Sequence, residues 1–267
     1  MISELAVPLG LTLAAGLATS VGGLVVLRKA QPSRVFLAAA LGLSAGVMLW
    51  VSFVELFPEA VDSFTAAYGD SSARLYAGVA FFAGIGLIAI IDRLVPAVVN
   101  PHEPVVDGAS ESTGLAPAAL RKMGLVTALA IGIHNFPEGF ATFVSGTEDL
   151  NIALPIAAAI AIHNIPEGIA VAVPIWQATG SRRKGFWWAT IAGLSEPLGA
   201  LIGALVLLPF LGPATMGVVF AMIAGVMVFV SLDELLPTAV ATGKHHAAVY
   251  GLVVGMAIME LSLLLFQ

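Results

Sequence analysis

Eight long apolar stretches, separated by short polar or turn-forming segments, dominate the hydrophobic pattern of this chain. Each is close to the roughly 20 residues that an α-helix needs to cross about 30 Å of hydrocarbon. The predicted spans lie at about 5–27, 35–59, 74–95, 121–145, 151–174, 185–208, 214–238 and 246–266. They occupy most of residues 1–267, so we predict a single all-α transmembrane domain with eight helices.

One connection between the predicted spans is long. It lies at about 96–120 and is rich in proline, glycine and serine, a composition that favours a flexible segment without regular structure. Its one histidine, His102, is interpreted as solvated. The first apolar stretch has no basic segment before it and is longer than the apolar part of a signal peptide, so we predict a retained helix.

An internal repeat links the second and seventh spans. Residues 45–58 read AGVMLWVSFVELFP, and residues 224–237 read AGVMVFVSLDELLP. Because successive spans alternate in direction, the second and seventh cross the membrane in opposite senses, as do the fourth and fifth. Opposed repeats of this kind recur in secondary transporters. We therefore predict inverted repeats, with spans one to three mirroring spans six to eight around a central antiparallel pair, four and five.

The composition agrees with a polytopic integral membrane protein and narrows the possible functions. Hydrophobic residues make up 59% of the chain, charged residues make up 10%, and the mean hydropathy is +0.99, whereas soluble domains carry about 25% charged residues. There is no G-x-x-x-x-G-K-[ST] phosphate-binding motif, so we expect no use of ATP. We also expect no nucleic-acid partner, and the chain has no cysteine to supply a thiolate ligand.

Basic residues divide unevenly between the predicted loops. The chain has 11 lysines and arginines, and all except Arg74 fall in the first, third, fifth and seventh loops. Because lysine and arginine are retained on the cytoplasmic side, this distribution places those loops inside and both termini outside. The outer loops carry acidic residues that would favour the approach of cations, namely Asp62, Asp70, Glu148 and Asp149.

Two nearly identical hexapeptides lie in the middle of the fourth and fifth spans. Residues 134–139 read HNFPEG, and residues 163–168 read HNIPEG. Residues three and four apart share one face of a helix, so each hexapeptide presents an imidazole, an amide and a carboxylate together. The proline removes a backbone donor, which leaves the carbonyl four residues earlier as an extra ligand or as the site of a kink. The side chains of interest are His134, Asn135, Glu138, His163, Asn164 and Glu167.

The sixth span adds a further carboxylate, Glu196, near its centre. Three carboxylates and two imidazoles are then predicted at the middle of the membrane, where an ionised side chain costs roughly 2.5–3.5 kcal/mol on insertion scales. Every lysine and arginine lies near a predicted membrane face, so the protein supplies no cation at that depth. Either the carboxylates are protonated, or a bound ion provides the positive charge. The doubled hexapeptide together with Glu196 favours the ion.

The ligand types narrow the choice of ion. Imidazole with carboxylate and amide oxygen, and without thiolate, suits borderline divalent metals such as Zn²⁺ or Fe²⁺ rather than Cu⁺. The pattern does not rank these against Mn²⁺, Cd²⁺ or Co²⁺. We expect a secondary transporter of divalent metal ions, with a selective metal channel or a membrane metal sensor as alternatives. An intramembrane zinc enzyme is disfavoured, because asparagine stands where the H-E-x-x-H motif has its glutamate.

Other polar residues lie near the predicted ends of the ion pathway. The repeat positions Glu55 and Glu234 are expected near opposite membrane faces, where they would be early and late ligands of the moving ion. A carboxylate near a helix end also often reaches interfacial water, so a structural interpretation is equally open. The candidate ligands at the two ends are Glu55, Glu59, Asp233, Glu234, His245 and His246.

The paired hexapeptides, the eight spans and the long third loop resemble the ZIP (Zrt/Irt-like) metal transporters, and the segment SLDELLP at 231–237 is similar to their bacterial branch. The resemblance implies a homodimer in the bacterial inner membrane that moves Zn²⁺ into the cytoplasm through a binuclear site. In that site the first metal position would be formed by His163, Glu138 and Glu167, with His134 contributing. The second position would be formed by Asn135, Glu138, Asn164, Glu167 and Glu196.

The resemblance also implies an elevator-like motion, in which spans one, four, five and six move against spans two, three, seven and eight. One departure from the family concerns the long inner loop, which is rich in histidine in many relatives. Here that loop contains only His102. A cytosolic metal-sensing role for the loop is therefore not expected.

Overall fold

Eight long helical segments make up the part of the chain that the computed structural model describes, residues 2–27, 33–94, 117–148, 150–207, 210 and 212–266. We number the segments α1 to α8. The first four have these bounds: α1 is Ile2–Gly23 with a 3₁₀ turn at Leu24–Leu27; α2 is Arg34–Val51, a π-helical turn at Ser52–Leu56, and Phe57–Tyr68; α3 is Asp70–Leu94; and α4 is Pro117–Glu148.

The second four segments include two that are interrupted. Their bounds are as follows: α5 is Leu150–Thr179; α6 is Arg182–Gly193 followed, after Leu194, by Ser195–Leu207; α7 is Pro213–Val230, a π-helical turn at Ser231–Leu235, and Leu236–Ala241; and α8 is His245–Phe266. The predicted loop at 96–120 lies mostly outside the described residues, and His102 lies outside them entirely.

Seven of these helices are long and apolar enough to cross a membrane: α1, α2, α3, α5, α6, α7 and α8. The remaining one, α4, has 32 residues and carries the first polar hexapeptide at its centre. The prediction of an all-α membrane protein is confirmed, with seven or eight candidate spans among the described residues. The helices α2 and α7 are longer than the predicted spans, because each continues as helix past its π-helical turn.

Local sequence signals explain where several helices begin and end. The Ser33 hydroxyl accepts a hydrogen bond from the Phe36 N–H at 3.1 Å, and the Ser181 hydroxyl accepts one from the Lys184 N–H at 3.3 Å, so each serine caps the start of a helix. Gly180, with φ of 68°, adopts the left-handed conformation that tightens the connection between α5 and α6. This short connection makes α5 and α6 neighbours in space.

The helices pack as two groups. Group 1 contains α1, α4, α5 and α6, which contact one another extensively, and group 2 contains α2, α3, α7 and α8, in which α2 packs against α8 and α7 packs against α3 and α2. Between the groups, α5 contacts α2 and α8, and α4 contacts α7. The family resemblance implies that these same two sets of helices move against each other, and that motion stays a prediction.

The internal repeat of α2 and α7 has a matching local structure. Both copies contain a π-helical turn, Ser52–Leu56 in α2 and Ser231–Leu235 in α7. A proline two residues after each turn lacks the N–H that would bond the carbonyl four residues earlier, which favours the widened turn. The serine that opens each turn donates its hydroxyl to a methionine carbonyl, Met48 or Met227, at 2.7 Å. Each π-helical turn packs against the regular part of the other helix.

Candidate metal site

The two hexapeptides meet between α4 and α5. One residue separates the end of α4 at Glu148 from the start of α5 at Leu150, so the two helices pack side by side. The Nε2 atom of His163 lies 3.3 Å from Oε2 of Glu138, which joins the imidazole of the second hexapeptide to the carboxylate of the first. The two motifs are therefore in direct contact.

The interruption of α6 places Glu196 against the second hexapeptide. The helix stops at Gly193 and begins again at Ser195, so Glu196 lies in the first turn of the second segment. Its Oε1 atom accepts a hydrogen bond from Nδ2 of Asn164, and the same amide nitrogen donates to the Ala15 carbonyl at 2.9 Å. One asparagine thus ties α1, α5 and α6 together at the depth of the hexapeptides.

Two glycines allow α4 and α6 to approach closely enough to form this site. A Cβ atom at Gly139 would overlap the backbone of Glu196, and a Cβ atom at Gly199 would overlap the backbone of Phe136. Small residues let helix backbones approach each other in membranes, where packing rather than hydrophobic burial holds helices together. The glycine that ends the first hexapeptide is therefore required by its contact with α6.

The polar side chains of the site are removed from solvent and from lipid. Six of them are buried with at most 1% of their surface exposed: Asn135, Glu138, His163, Asn164, Glu167 and Glu196. Among the residues whose side chains the structure describes, no lysine or arginine is buried. Group 1 thus encloses three carboxylates, and no basic side chain that the structure describes is enclosed with them.

Several buried polar atoms of the site have no hydrogen-bond partner among the described residues. They are Nδ2 and Oδ1 of Asn135, Oε1 of Glu138, Oδ1 of Asn164 and Oε2 of Glu196. A buried polar atom that lacks a partner costs about 1–3 kcal/mol, and more when it is charged. Four of these five atoms are oxygens that can coordinate a cation, and coordination would remove that cost.

A complete ligand set is not assembled by the described side chains. Among them, no group of three His, Asp or Glu residues is arranged to hold a metal ion. The backbone of His134 is helical, but its side chain lies outside the described residues. The ligand assignments for His134 and for the other six residues therefore stay predictions.

The candidate ligands at the ends of the pathway lie in α2, α7 and α8. Glu59 and Asp62 line a cavity of about 390 Å³ between α2 and the start of α7. The π-helical turns carry Glu55 in α2, and Asp233 with Glu234 in α7, all half-buried. The rings of His245 and His246 are exposed at the start of α8, with centroids 5.6 Å apart. Their roles stay predictions.

Two contacts of the site involve residues that the sequence does not single out. The hydroxyl of Ser44 in α2 donates to the His163 carbonyl at 3.2 Å, which joins group 2 to the second hexapeptide. The Ala15 carbonyl accepts from Asn164. A buried serine in an apolar helix is a weak signal in the sequence, and a backbone carbonyl gives no signal at all, so pattern reasoning missed both.

Comparison with known proteins places the chain in a family. Residues 97–262 match the model of the ZIP zinc transporter family. The zinc transporter ZupT of Corynebacterium glutamicum is 60% identical over 257 residues, which cover 96% of this chain and 98% of that protein. ZupT of Streptococcus mutans is 54% identical over 256 residues, which cover 96% of each chain. The chain belongs to the ZIP zinc transporter family.

Proposed function

We propose that this protein carries Zn²⁺ through the bacterial inner membrane into the cytoplasm. The ion would be held by His134, Asn135, Glu138, His163, Asn164, Glu167 and Glu196. The observation that carries the proposal is the burial of Glu138, Glu167 and Glu196 without a buried lysine or arginine among the side chains that the structure describes. The cost of burying ionised carboxylates is offset when a divalent cation binds between them.

The contacts within the site support a division into two metal positions. Glu138 touches His163 at 3.3 Å, and this imidazole and carboxylate would belong to the first position with Glu167 and His134. Asn164 bonds Glu196, and these two would belong to the second position with Asn135. Glu138 and Glu167 would bridge the two ions. Shared carboxylates favour release, because a second ion or a proton on a shared oxygen weakens the first ion's hold.

The packing of the helices supports an elevator-like motion of group 1 against group 2. Glycine contacts that bring backbones together lie within the groups: Gly16, Gly22, Gly139, Gly168 and Gly199 in group 1, and Gly42, Gly46, Gly84, Gly225, Gly251 and Gly255 in group 2. Such contacts make each group a unit that moves as a whole. All six buried side chains of the site lie on group 1, so the motion would carry the ion with its ligands.

The distribution of charge supports the direction of uptake. The basic residues of the odd-numbered loops would face the cytoplasm, with both termini outside. The cavity that Glu59 and Asp62 line would then open on the outer side and raise the local concentration of cations.

Spans one to three and six to eight would form inverted repeats about α4 and α5, for which the paired π-helical turns are the local support. A homodimer follows from the family resemblance.

Metal uptake into proteoliposomes tests the proposal. We expect Zn²⁺ uptake by the wild type, and a fall to the level of protein-free liposomes for Glu138→Ala and Glu167→Ala. The matched control is Glu260→Ala, because Glu260 also lies within an apolar helix but bonds Nε1 of Trp50 in α2 rather than the site. Undiminished uptake by the Glu138 and Glu167 variants would overturn the assignment.

Two further measurements separate the remaining alternatives. A carrier shows saturation and counterflow, in which external Zn²⁺ accelerates the efflux of a preloaded isotope, whereas a channel shows no such exchange. Substrate range is tested in the same liposomes with Fe²⁺, Mn²⁺, Cd²⁺ and Co²⁺. The family is one of transporters, so an intramembrane enzyme is not a competing interpretation.

A further inference from the structure

A cavity of about 550 Å³ lies apart from the polar site, between α3 and the helices α4 and α6. Nearly all of its lining is apolar, and it is formed by Ile91, Ala128, Gly132, Phe136, Pro137, Trp188, Ile191, Ala192, Ser195 and Leu198. Ile191 and Leu198 leave about half of their surface exposed, 55% and 51% respectively. In a membrane-spanning bundle this opening faces hydrocarbon, so the cavity suits an acyl chain rather than a hydrated ion.

One face of α6 connects this cavity to a cluster of positive charge. Lys184, Trp188 and Ile191 are spaced four and three residues apart, so they follow one another along the same side of the first segment of α6. Lys184 lies one turn beyond Trp188, at the basic end of α6, and its side chain is exposed. A ring at the membrane interface next to a basic residue is the usual arrangement at the level of lipid headgroups.

The end of α3 brings another cation to the same level. Ile91 lines the cavity together with Trp188, so the last turn of α3 lies beside the first turns of α6. That turn carries Arg93, whose side chain is exposed, whereas the neighbouring Asp92 is half-buried. An apolar slot with an exposed lysine one turn beyond its lining on α6, and an exposed arginine in the last turn of α3, matches a molecule with a hydrocarbon chain and an anionic headgroup.

We propose that this cavity binds one acyl chain of an anionic phospholipid, with Lys184 holding the headgroup phosphate and Arg93 adding positive charge at the same level. Because Ile91 belongs to group 2 and all other lining residues belong to group 1, the lipid would occupy the gap between the two groups. Its chain would contact Phe136 and Pro137, which belong to the same helical turn as Glu138. Bound lipid therefore regulates the position of group 1 relative to group 2. This regulation is an inference that rests on the proposed transport function.

Lipid retention measured by native mass spectrometry tests the binding. The purified full-length protein is incubated with equal amounts of phosphatidylglycerol and phosphatidylcholine that have identical acyl chains. We expect the wild type to retain one phosphatidylglycerol per chain with a several-fold preference. Gly132→Leu should lower retention of both lipids several-fold, since a Cβ atom there has no neighbour closer than the Ser195 hydroxyl at 4.0 Å and the side chain would fill the cavity. Lys184→Gln should abolish the preference.

Matched controls come from the same residue types elsewhere. Gly78→Leu places the same side chain in open space on α3, and Lys244→Gln removes a basic charge before α8, so both should behave as the wild type. Wild-type protein without a preference for phosphatidylglycerol, or Gly132→Leu with unchanged retention, would overturn the proposal. Lys184 is exposed, so its variant tests the headgroup contact even if Gly132→Leu fails to fold.

Zinc uptake in liposomes of defined composition tests the regulation. We expect several-fold faster uptake in liposomes that contain phosphatidylglycerol than in phosphatidylcholine alone, and equal rates in both for Lys184→Gln. Equal wild-type rates, both above protein-free liposomes, would refute the regulation while leaving the transport function intact. Absence of uptake in either lipid would instead refute the proposed transport function, and the mass-spectrometric result would be unaffected.

Discussion

Replacement of Glu196 by glutamine separates the stability of the site from its function. The Oε1 atom of Glu196 accepts a hydrogen bond from Asn164, and a glutamine amide oxygen can keep that bond. Its Oε2 atom is buried without a partner among the described residues. The substitution thus removes the ionisable group while the shape of the side chain is retained.

The expected gain in stability follows from two opposing terms. Removing an ionised group from mid-membrane is favourable by at most about 2.5–3.5 kcal/mol on insertion scales. The bond from Asn164 becomes a neutral one, which weakens it by about 1 kcal/mol. We expect the metal-free Glu196→Gln protein to be more stable than the wild type by at most about 1.5–2.5 kcal/mol, the difference between these terms.

Zinc should stabilise the wild type more than the Glu196→Gln variant, which opposes the gain in stability expected without metal. At a zinc concentration of 100 times its dissociation constant, the wild type gains about 2.7 kcal/mol from binding. A variant that binds about 100-fold more weakly would gain only about 0.4 kcal/mol at the same concentration. Glu196→Gln should therefore melt above the wild type in EDTA and below it or level with it in excess zinc.

Thermal unfolding of the detergent-purified protein, followed by tryptophan fluorescence, measures both effects. The matched control is Glu260→Gln. Glu260 lies on α8, away from the site, and its carboxylate accepts a hydrogen bond from Nε1 of Trp50 in α2 at 2.9 Å. That control should keep the full zinc-induced rise in melting temperature and should melt no higher than the wild type in EDTA. The reasoning is refuted if Glu196→Gln melts below the wild type in EDTA, or if it retains the zinc-induced rise.

Three further predictions concern packing, motion and the outer cavity. Gly139→Ala should destabilise the fold and abolish uptake, because the added methyl group meets the Glu196 backbone; thermal unfolding and uptake assays measure this. Ser44→Ala should alter the maximal uptake rate with little change in zinc affinity, because it removes a bond between the groups; zinc titration and uptake kinetics compare the two. Glu59→Gln with Asp62→Asn should raise the KM for zinc at low ionic strength and converge with the wild type at high salt.

The sequence was sufficient to predict the class of the fold, and it singled out polar side chains that the structure buries together. Apolar stretches of span length identify membrane helices, because every backbone polar group in lipid must be bonded within the segment. The repeated hexapeptides single out six polar side chains of α4 and α5, of which five are buried in the structure, with His163 lying 3.3 Å from Glu138. These features could be read because both the helical period and the length of a span are fixed by geometry.

Other features depend on how the helices pack, which the sequence pattern does not specify. The sequence places Glu196 near the centre of a span, but the interruption of α6 at Leu194 and the bond from Asn164 depend on three helices meeting. The π-helical turns follow from Pro58 and Pro237, although a proline alone predicts a kink as readily as a π turn. The apolar cavity beside α3 has no sequence signature, since its lining comes from three separate helices.

Crystallographic location of zinc by anomalous X-ray scattering tests the central claim most directly, namely that the buried carboxylates serve a metal ion. We predict a zinc peak between α4 and α5, within about 2.0–2.2 Å of a Glu138 oxygen and of a nitrogen of His163. The peak should be lost in Glu138→Ala. Zinc bound only at the exposed His245 and His246, with no peak between α4 and α5, would contradict the account.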